Sequence, residues 1–268
     1  MRKPRIRDHA ILIAGTLLMT APLVIIFLGA GNRGGLRGTW RPTADYVDGV
    51  IGNTEALARL TGGETTLASM IGTSIAIAGG VALITTAVAM LAAYVLVFME
   101  NRTARWMFAA TILTLYFPIE ARMLPTFDTV LALGLINTLP GLILPILPIA
   151  VATFLFRQHF RGLPPEIMEA ARLDGAGPLK YLVHFVVPLS WPPILAVFLV
   201  TFMVGWNQYL WPLMISTDNT HFPIMRGLNL AGTGTGPSLI LGAVSLLPPL
   251  VLVVLFSRAL SRVAGLRV

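Results

Sequence analysis

The sequence contains no cysteine, which excludes disulfides and thiolate metal sites and leaves the redox compartment unreadable. Charge is scarce as well. Only 12% of the 268 residues are charged, about half the share of a soluble domain. No Gly-x-x-x-x-Gly-Lys-[Ser/Thr] phosphate loop occurs, so the chain carries no phosphate cradle of that kind. His9, His159, His184 and His221 lack metal-ligand spacing, and no metal site is expected. A membrane-face enzyme needs clustered carboxylates or histidines. Only Glu166, Glu169 and Asp174 come close together, and helix-end electrostatics accounts for them.

What the chain has is apolar surface. Hydrophobic residues make up 56% and mean hydropathy is +0.79, so lipid is the expected solvent. Gly 25 and Pro 19 break helices in water, but membrane bundles tolerate them because neighbouring helices satisfy the freed backbone groups. The net charge of +7 sits in residues flanking apolar runs, which marks topology rather than a nucleic-acid face.

A span needs about 20 mostly apolar residues. Six segments qualify: His9–Ala30, Leu67–Met99, Ala104–Leu124, Leu139–Phe156, Leu189–Ser216 and Ser238–Leu260. The second is long enough to overrun the bilayer or bend near Gly79-Gly80, and Pro248-Pro249 marks a kink in the sixth. The expected fold is an all-α, polytopic helix bundle in one domain over 1–268. Thirteen Lys and Arg fall in one set of loops (Arg2, Lys3, Arg5, Arg7, Arg102, Arg105, Arg157, Arg161, Arg172, Lys180, Arg258, Arg262, Arg267) and six in the other (Arg33, Arg37, Arg41, Arg59, Arg122, Arg226). The positive-inside rule then puts both termini in the cytoplasm. A basic start before an apolar run also suits a signal peptide. A retained helix is expected, because Gly29–Gly38 lacks a small-x-small cleavage pattern. The polar segment Gly31–Thr66 is expected outside.

The longest charged break between spans runs from Arg157 to Phe185, on the inner side. Leu163-Pro-Pro-Glu-Ile-Met-Glu starts a helix: proline suits the first turn, and Glu166 and Glu169 meet the positive end of the helix dipole. Ile167, Ala170, Ala171 and Asp174 share one narrow face, suited to the groove of another protein. Gly175 or Gly177 supplies the left-handed stop, and Pro178 blocks continuation. A second short helix over Leu179–Val186 leads to Pro188 and the fifth span.

Glu169-Ala-Ala-Arg-Leu-Asp-Gly-Ala176, followed by Phe185-Val-Val-Pro-Leu189, resembles the cytoplasmic EAA loop of binding-protein-dependent permeases of ATP-binding-cassette importers, in their carbohydrate-uptake branch. The likeness runs from about Thr73 to the C-terminus, and it implies a permease core over about 67–260 with the coupling loop at 157–185. Pro118-Ile-Glu-Ala-Arg-Met-Leu-Pro125, Thr153-Phe-Leu-Phe-Arg-Gln158 and Gly205-Trp-Asn-Gln-Tyr-Leu-Trp-Pro212 resemble the sn-glycerol-3-phosphate branch in particular. The resemblance implies a multi-pass subunit of the bacterial inner membrane. Its partners are a second permease, an ATPase dimer and an extracytoplasmic binding protein. No cofactor of its own is expected; ATP and Mg would be bound by the ATPase. Glu169, Ala170, Ala171, Asp174 and Gly175 become the ATPase-coupling residues. Glycerol-3-phosphate, a glycerophosphodiester and an uncharged sugar or oligosaccharide all stay open as cargo. An integral-membrane enzyme and an energy-independent carrier are the competing classes, but neither requires the Glu169–Gly175 loop.

Ionisable groups inside spans are costly and are candidates for a transport path. Glu120 and Arg122 stand two positions apart, on different sides of a helix, and roughly 24 Å along it from Ala104 at about 1.5 Å per residue. They are either interfacial anchors or path residues. Trp206, Tyr209 and Trp211 read equally as an interfacial belt or as a path wall, while Asn207 and Gln208 offer buried-amide capacity for a polyol.

Overall fold

In a computed structural model, residues 6–38, 45–98 and 102–263 are described. Among them every regular element is helical. In chain order these are α1 (Ile6–Ala30), α2 (Tyr46–Leu60), α3 (Leu67–Phe98), α4 (Arg102–Leu113), α5 (Met123–Ala132), α6 (Leu139–Ile143), α7 (Ala150–Arg161) and α8 (Pro165–Leu173). There follow α9 (Pro178–Tyr181), α10 (Val187–Leu189), α11 (Trp191–Trp206), α12 (Leu210–Ile215), α13 (Ile224–Ala231) and α14 (Gly236–Val263). The chain forms two compact units. One comprises residues up to Thr73 plus Phe222–Val251; the other comprises Ser74–His221 and the chain from Leu252.

In the first unit, Ala30, Leu239, Ile240 and Ala243 are buried together, with Val50 and Leu67 against them. The end of α1 leaves orphan carbonyls, as every helix end does. Asn53, 2% exposed, answers two of the nearby carbonyls: its Nδ2 donates to the Ala30 and Asn32 oxygens at 2.9 and 3.0 Å. The Tyr46 hydroxyl donates to the Phe27 carbonyl at 2.7 Å. The polar segment after α1 is therefore clamped to it through α2. Along the rest of α1, Ile11, Leu12, Leu17, Leu18 and Met19 are exposed, as a helix solvated by lipid requires.

Three helices are long and apolar enough to cross a membrane: His9–Ala30, Leu67–Phe98 and Gly236–Ser257. Two bent pairs bring the number to at most five among the described residues. The expected third span, Ala104–Leu124, is absent from this set. Helix α4 stops at Leu113, a 3-10 turn covers Thr114–Tyr116, Phe117 is extended (φ −87°, ψ 112°), and a second 3-10 turn covers Ile119–Arg122. Pro118 is the cause: it lacks an N–H and forces the residue before it out of the helical region.

The fourth segment bends, and the chain turns sharply into the fifth, whose expected helix over Leu189–Ser216 is itself interrupted between Trp206 and Leu210. Leu139–Ile146 meets Ala150–Arg161 at 53°, and Pro178–Leu189 meets Trp191–Trp206 at 79°. Proline again sits at the breaks, with Pro145 and Pro148 at the first and Pro192 and Pro193 opening α11 at the second. Ser190 occupies the sharper corner fully buried, its Oγ 3.1 Å from His159 Nε2. The expected helix over Leu179–Val186 is a compound element: α9, a π-helical turn over Leu182–Val186, then α10 carrying Pro188.

By contrast, α3 is one unbroken helix of 32 residues, without the expected bend at Gly79-Gly80. These glycines serve contact instead. A Cβ on Gly80 would lie 2.7 Å from Ile143 Cδ1, and one on Gly205 would lie 2.9 Å from Ala78 Cα. Small residues let α6 and α11 approach the backbone of α3, the packing that membrane interiors favour. Helix α14 is continuous through Pro248 and Pro249. Arg2, Lys3, Arg5, Arg41, Met99 and Arg267 lie outside the described residues.

Candidate functional site

Helix α8 is nine residues long, with Pro165 at its first position and Glu166 in its first turn. It ends in a complete Schellman motif: the Gly175 N–H donates to the Arg172 carbonyl at 3.0 Å and the Ala176 N–H to the Ala171 carbonyl at 2.9 Å. Gly175 takes φ +71°, where a side chain is strained, so Gly175 and not Gly177 is the stop.

The face expected to dock outward divides. Ala171, 1% exposed, and half-buried Ile167 turn inward, into a cluster with Phe156, Phe160, Tyr181 and Val186. Ala170 and Asp174 stay exposed with Glu166, Glu169 and Leu173. The apolar members pack on the protein itself because burying them there removes their surface from water. What remains outward is Glu166, Glu169, Ala170 and Leu173 at i, i+3, i+4 and i+7, a single face. Leu173 is 89% exposed, an apolar knob set among carboxylates.

The buried cluster ties α8 to the elements around it. Phe98, at the end of α3, lies edge to face with Tyr181 at 5.4 Å, and Phe156 stacks on Phe160 within α7 at 5.9 Å. The Tyr94 hydroxyl donates to the Pro178 carbonyl at 2.8 Å. Arg157, expected to open the charged break, belongs to α7, which runs on to Arg161. Its guanidinium stacks over Phe108 at 3.8 Å and so joins α7 to α4. A push on α8 therefore reaches α3 and α7 through packed side chains.

Of the expected path residues, two meet. Half-buried Arg122 and Trp211 line one cleft with Met123, Thr126, Pro145 and Ile146, about 10 Å³ in volume. That is room for barely one water, and for no polyol. Trp211 is 3% exposed and donates Nε1–H to the Gly141 carbonyl at 3.0 Å, which makes it an internal anchor and not part of an interfacial belt. Trp206, also 3% exposed, stacks on Phe202 at 6.0 Å inside α11. Tyr209 is 40% exposed. Asn207 is exposed rather than buried, and the Gln208 amide, just past the end of α11, donates back to the Val204 carbonyl of that helix at 3.2 Å. The Glu120 side chain lies outside the described residues. No group of three or more His, Asp or Glu suited to a metal occurs among the described residues.

One polar centre was not anticipated. Asn137, at φ +59°, accepts at Oδ1 from the Thr217 N–H at 2.6 Å and the Asp218 N–H at 3.3 Å. Its Nδ2 donates to Thr217 Oγ1 at 2.9 Å, and His221 Nδ1 lies 2.9 Å from its carbonyl. It staples the loop before α6 to the loop after α12. An asparagine shortly after a glycine is a left-handed turn signal in the sequence, but its partners some 80 residues on leave no local trace.

Residues 85–264 match the family described as binding-protein-dependent transport system inner membrane component. An sn-glycerol-3-phosphate transport system permease protein of Agrobacterium fabrum is 32% identical over 95% of this chain and 93% of its own length. Its counterpart in Brucella melitensis is 31% identical over 93% and 92%. The Escherichia coli one is 39% identical over 65% and 64%. A solved chain of a bacterial ABC transporter involved in the import of the acidic polysaccharide alginate shares the fold, with TM-score 0.73 at 18% identity over 96% of this chain and 99% of that one.

Proposed function

This chain belongs to the binding-protein-dependent transport inner-membrane components, multi-pass permease subunits of ABC importers and not enzymes, and on that premise we propose that it forms half of the path for sn-glycerol-3-phosphate or a related glycerophosphodiester. The observation that carries the cargo is that relatives aligning over nearly the whole chain at 32% and 31% identity are sn-glycerol-3-phosphate transport system permease proteins. The second half of the path comes from another permease, energy from an ATPase dimer, and cargo from an extracytoplasmic binding protein. Both termini lie in the cytoplasm.

The exposed face of α8, with Glu169 and Ala170 at its centre and Leu173 beside them, docks on the ATPase. Ala171 holds the back of α8 to the protein, and Asp174 and Gly175 end the helix so that this face stays rigid. Movement of the ATPase then shifts α8, and the cluster of Phe160, Tyr181 and Phe98 carries that shift to α7 and α3. Arg122 supplies a positive charge whose planar fork can hold two phosphate oxygens at once. Its cleft is closed to cargo in this conformation, so it contacts phosphate only when α5 and α12 separate.

The test is reconstitution with the two permeases, the ATPase and the binding protein. Loaded binding protein should stimulate ATP hydrolysis, and labelled sn-glycerol-3-phosphate should accumulate. Glu169→Lys reverses a charge at the docking face and should remove the stimulation while leaving membrane insertion intact. Unchanged stimulation in that variant defeats the coupling assignment. Uptake of a neutral disaccharide in place of the phosphate ester defeats the cargo assignment.

A further inference from the structure

Behind α8, on the side away from its acidic face, lies a cavity of about 220 Å³. Tyr94 and Phe98 from the end of α3 and Tyr181 from α9 form an aromatic wall. Tyr94 and Phe98 stand 4.9 Å apart, and Tyr181 meets Phe98 edge to face. Met168 and Ala176 extend the apolar lining, and exposed Arg172 stands at the rim. The hydrogen bond from Tyr94 to Pro178 fixes α3 to the start of α9.

Arg172 is the one charged residue among the described residues that line the cavity. Among the described residues no carboxylate forms an ion pair with it. The two features ask for different things from one occupant. An apolar cavity of about 150 Å³ already suffices for benzene, whereas water gains little where polar partners are few. A neutral aromatic would make no use of the guanidinium at the rim, and a bare anion would leave the aromatic wall uncovered. Guanidinium holds a carboxylate through two parallel hydrogen bonds.

We propose that this cavity is a binding site for a small amphipathic anion, an aryl or short alkyl carboxylate. Its apolar body packs on Tyr94, Phe98 and Tyr181, and its carboxylate pairs with Arg172. The site is also placed to regulate. Ala171 and Ala176 line it and are joined by the hydrogen bond that closes α8. An occupant braces the back of α8 and alters how far the ATPase can move it. That consequence rests on the coupling role of α8; the binding itself does not.

The experiment uses the assembled transporter in neutral-lipid nanodiscs, with benzoate as probe and saturation-transfer NMR as readout. Benzamide lacks the charge and acetate lacks the body, and both should bind about tenfold or more weakly to the unaltered protein. Arg172→Gln should weaken benzoate by a similar factor, Arg172→Lys by less, and Ala176→Phe should abolish binding by filling the space. Equal affinity for benzamide, or no loss in Arg172→Gln, overturns the site. Binding that appears only when the ATPase is removed also overturns it, because the cavity then houses an ATPase side chain. Benzoate should change the stimulated ATPase rate, and Glu169→Lys should remove that response while benzoate still binds. Benzoate binding without any change in rate would reject the regulatory consequence and keep the site.

Discussion

At the scale of single residues, Trp211 and Arg122 share a cleft but do different work. Trp211→Phe keeps the ring and removes the donor, leaving the buried Gly141 carbonyl unanswered. The expected loss is about 1–3 kcal/mol, read as a lower melting temperature of the purified complex, with uptake following stability. A selective fall in uptake at unchanged stability would instead restore Trp211 to the path. Arg122→Gln should reduce uptake of a phosphorylated cargo without changing its affinity for the binding protein, and Arg122→Lys should keep part of the rate because the charge survives while the fork is lost. If Arg122→Gln transports at the parental rate, the phosphate preference resides in the other permease or in the binding protein.

At the scale of elements, two glycines define how helices end and meet. Gly175→Val places a β-branched residue at φ +71°, a left-handed position that costs roughly 1–2 kcal/mol. The last turn of α8 should fray, and binding-protein-stimulated ATP hydrolysis should fall while basal hydrolysis by the ATPase persists. Parental stimulation would show that the Schellman stop is dispensable. Gly205→Leu drives a side chain into Ala78 and Val81 of α3. Overpacking of that kind typically costs 1–3 kcal/mol, and a large fall in the thermal stability of the permease pair is expected. Full stability would mean that α3 and α11 separate easily, and would argue for a moving seam between them.

At the scale of the whole molecule, the lack of cysteine turns into a tool, since any introduced thiol is a unique label. If both termini lie inside, as proposed, a cysteine at exposed Leu173 should react with an impermeant maleimide only in inside-out vesicles. One at Thr217, in the loop held by Asn137, should react in intact spheroplasts. The reverse pattern would invert the topology that the Lys and Arg count supports. Of the spans, α1, α3 and α14 were legible because an uninterrupted apolar run has one reading in lipid. The third segment was not, because Pro118 sits inside a run whose hydropathy alone hides the break. The corner that leads into the fifth was hidden as well: Ser190 is unremarkable in sequence, and only burial against His159 marks it.

The sequence by itself determined the solvent, the helical class and the family, since composition, hydrophobic run length and the Glu169–Gly175 pattern are local properties that survive any arrangement of the helices. It also narrowed the stop of α8 to Gly175 or Gly177, between which the positive φ of Gly175 then chose. Tertiary structure decided which side of α8 faces outward: helical spacing gives the angles between side chains but not the direction in which the protein's own core lies. It decided as well that Trp206 and Trp211 are buried against neighbouring helices, that Arg122 borders a cleft too small for cargo, and that Asn137 holds two distant loops. Each of these depends on contacts between segments far apart in the chain, and such contacts are set by how helices pack, which no periodicity records.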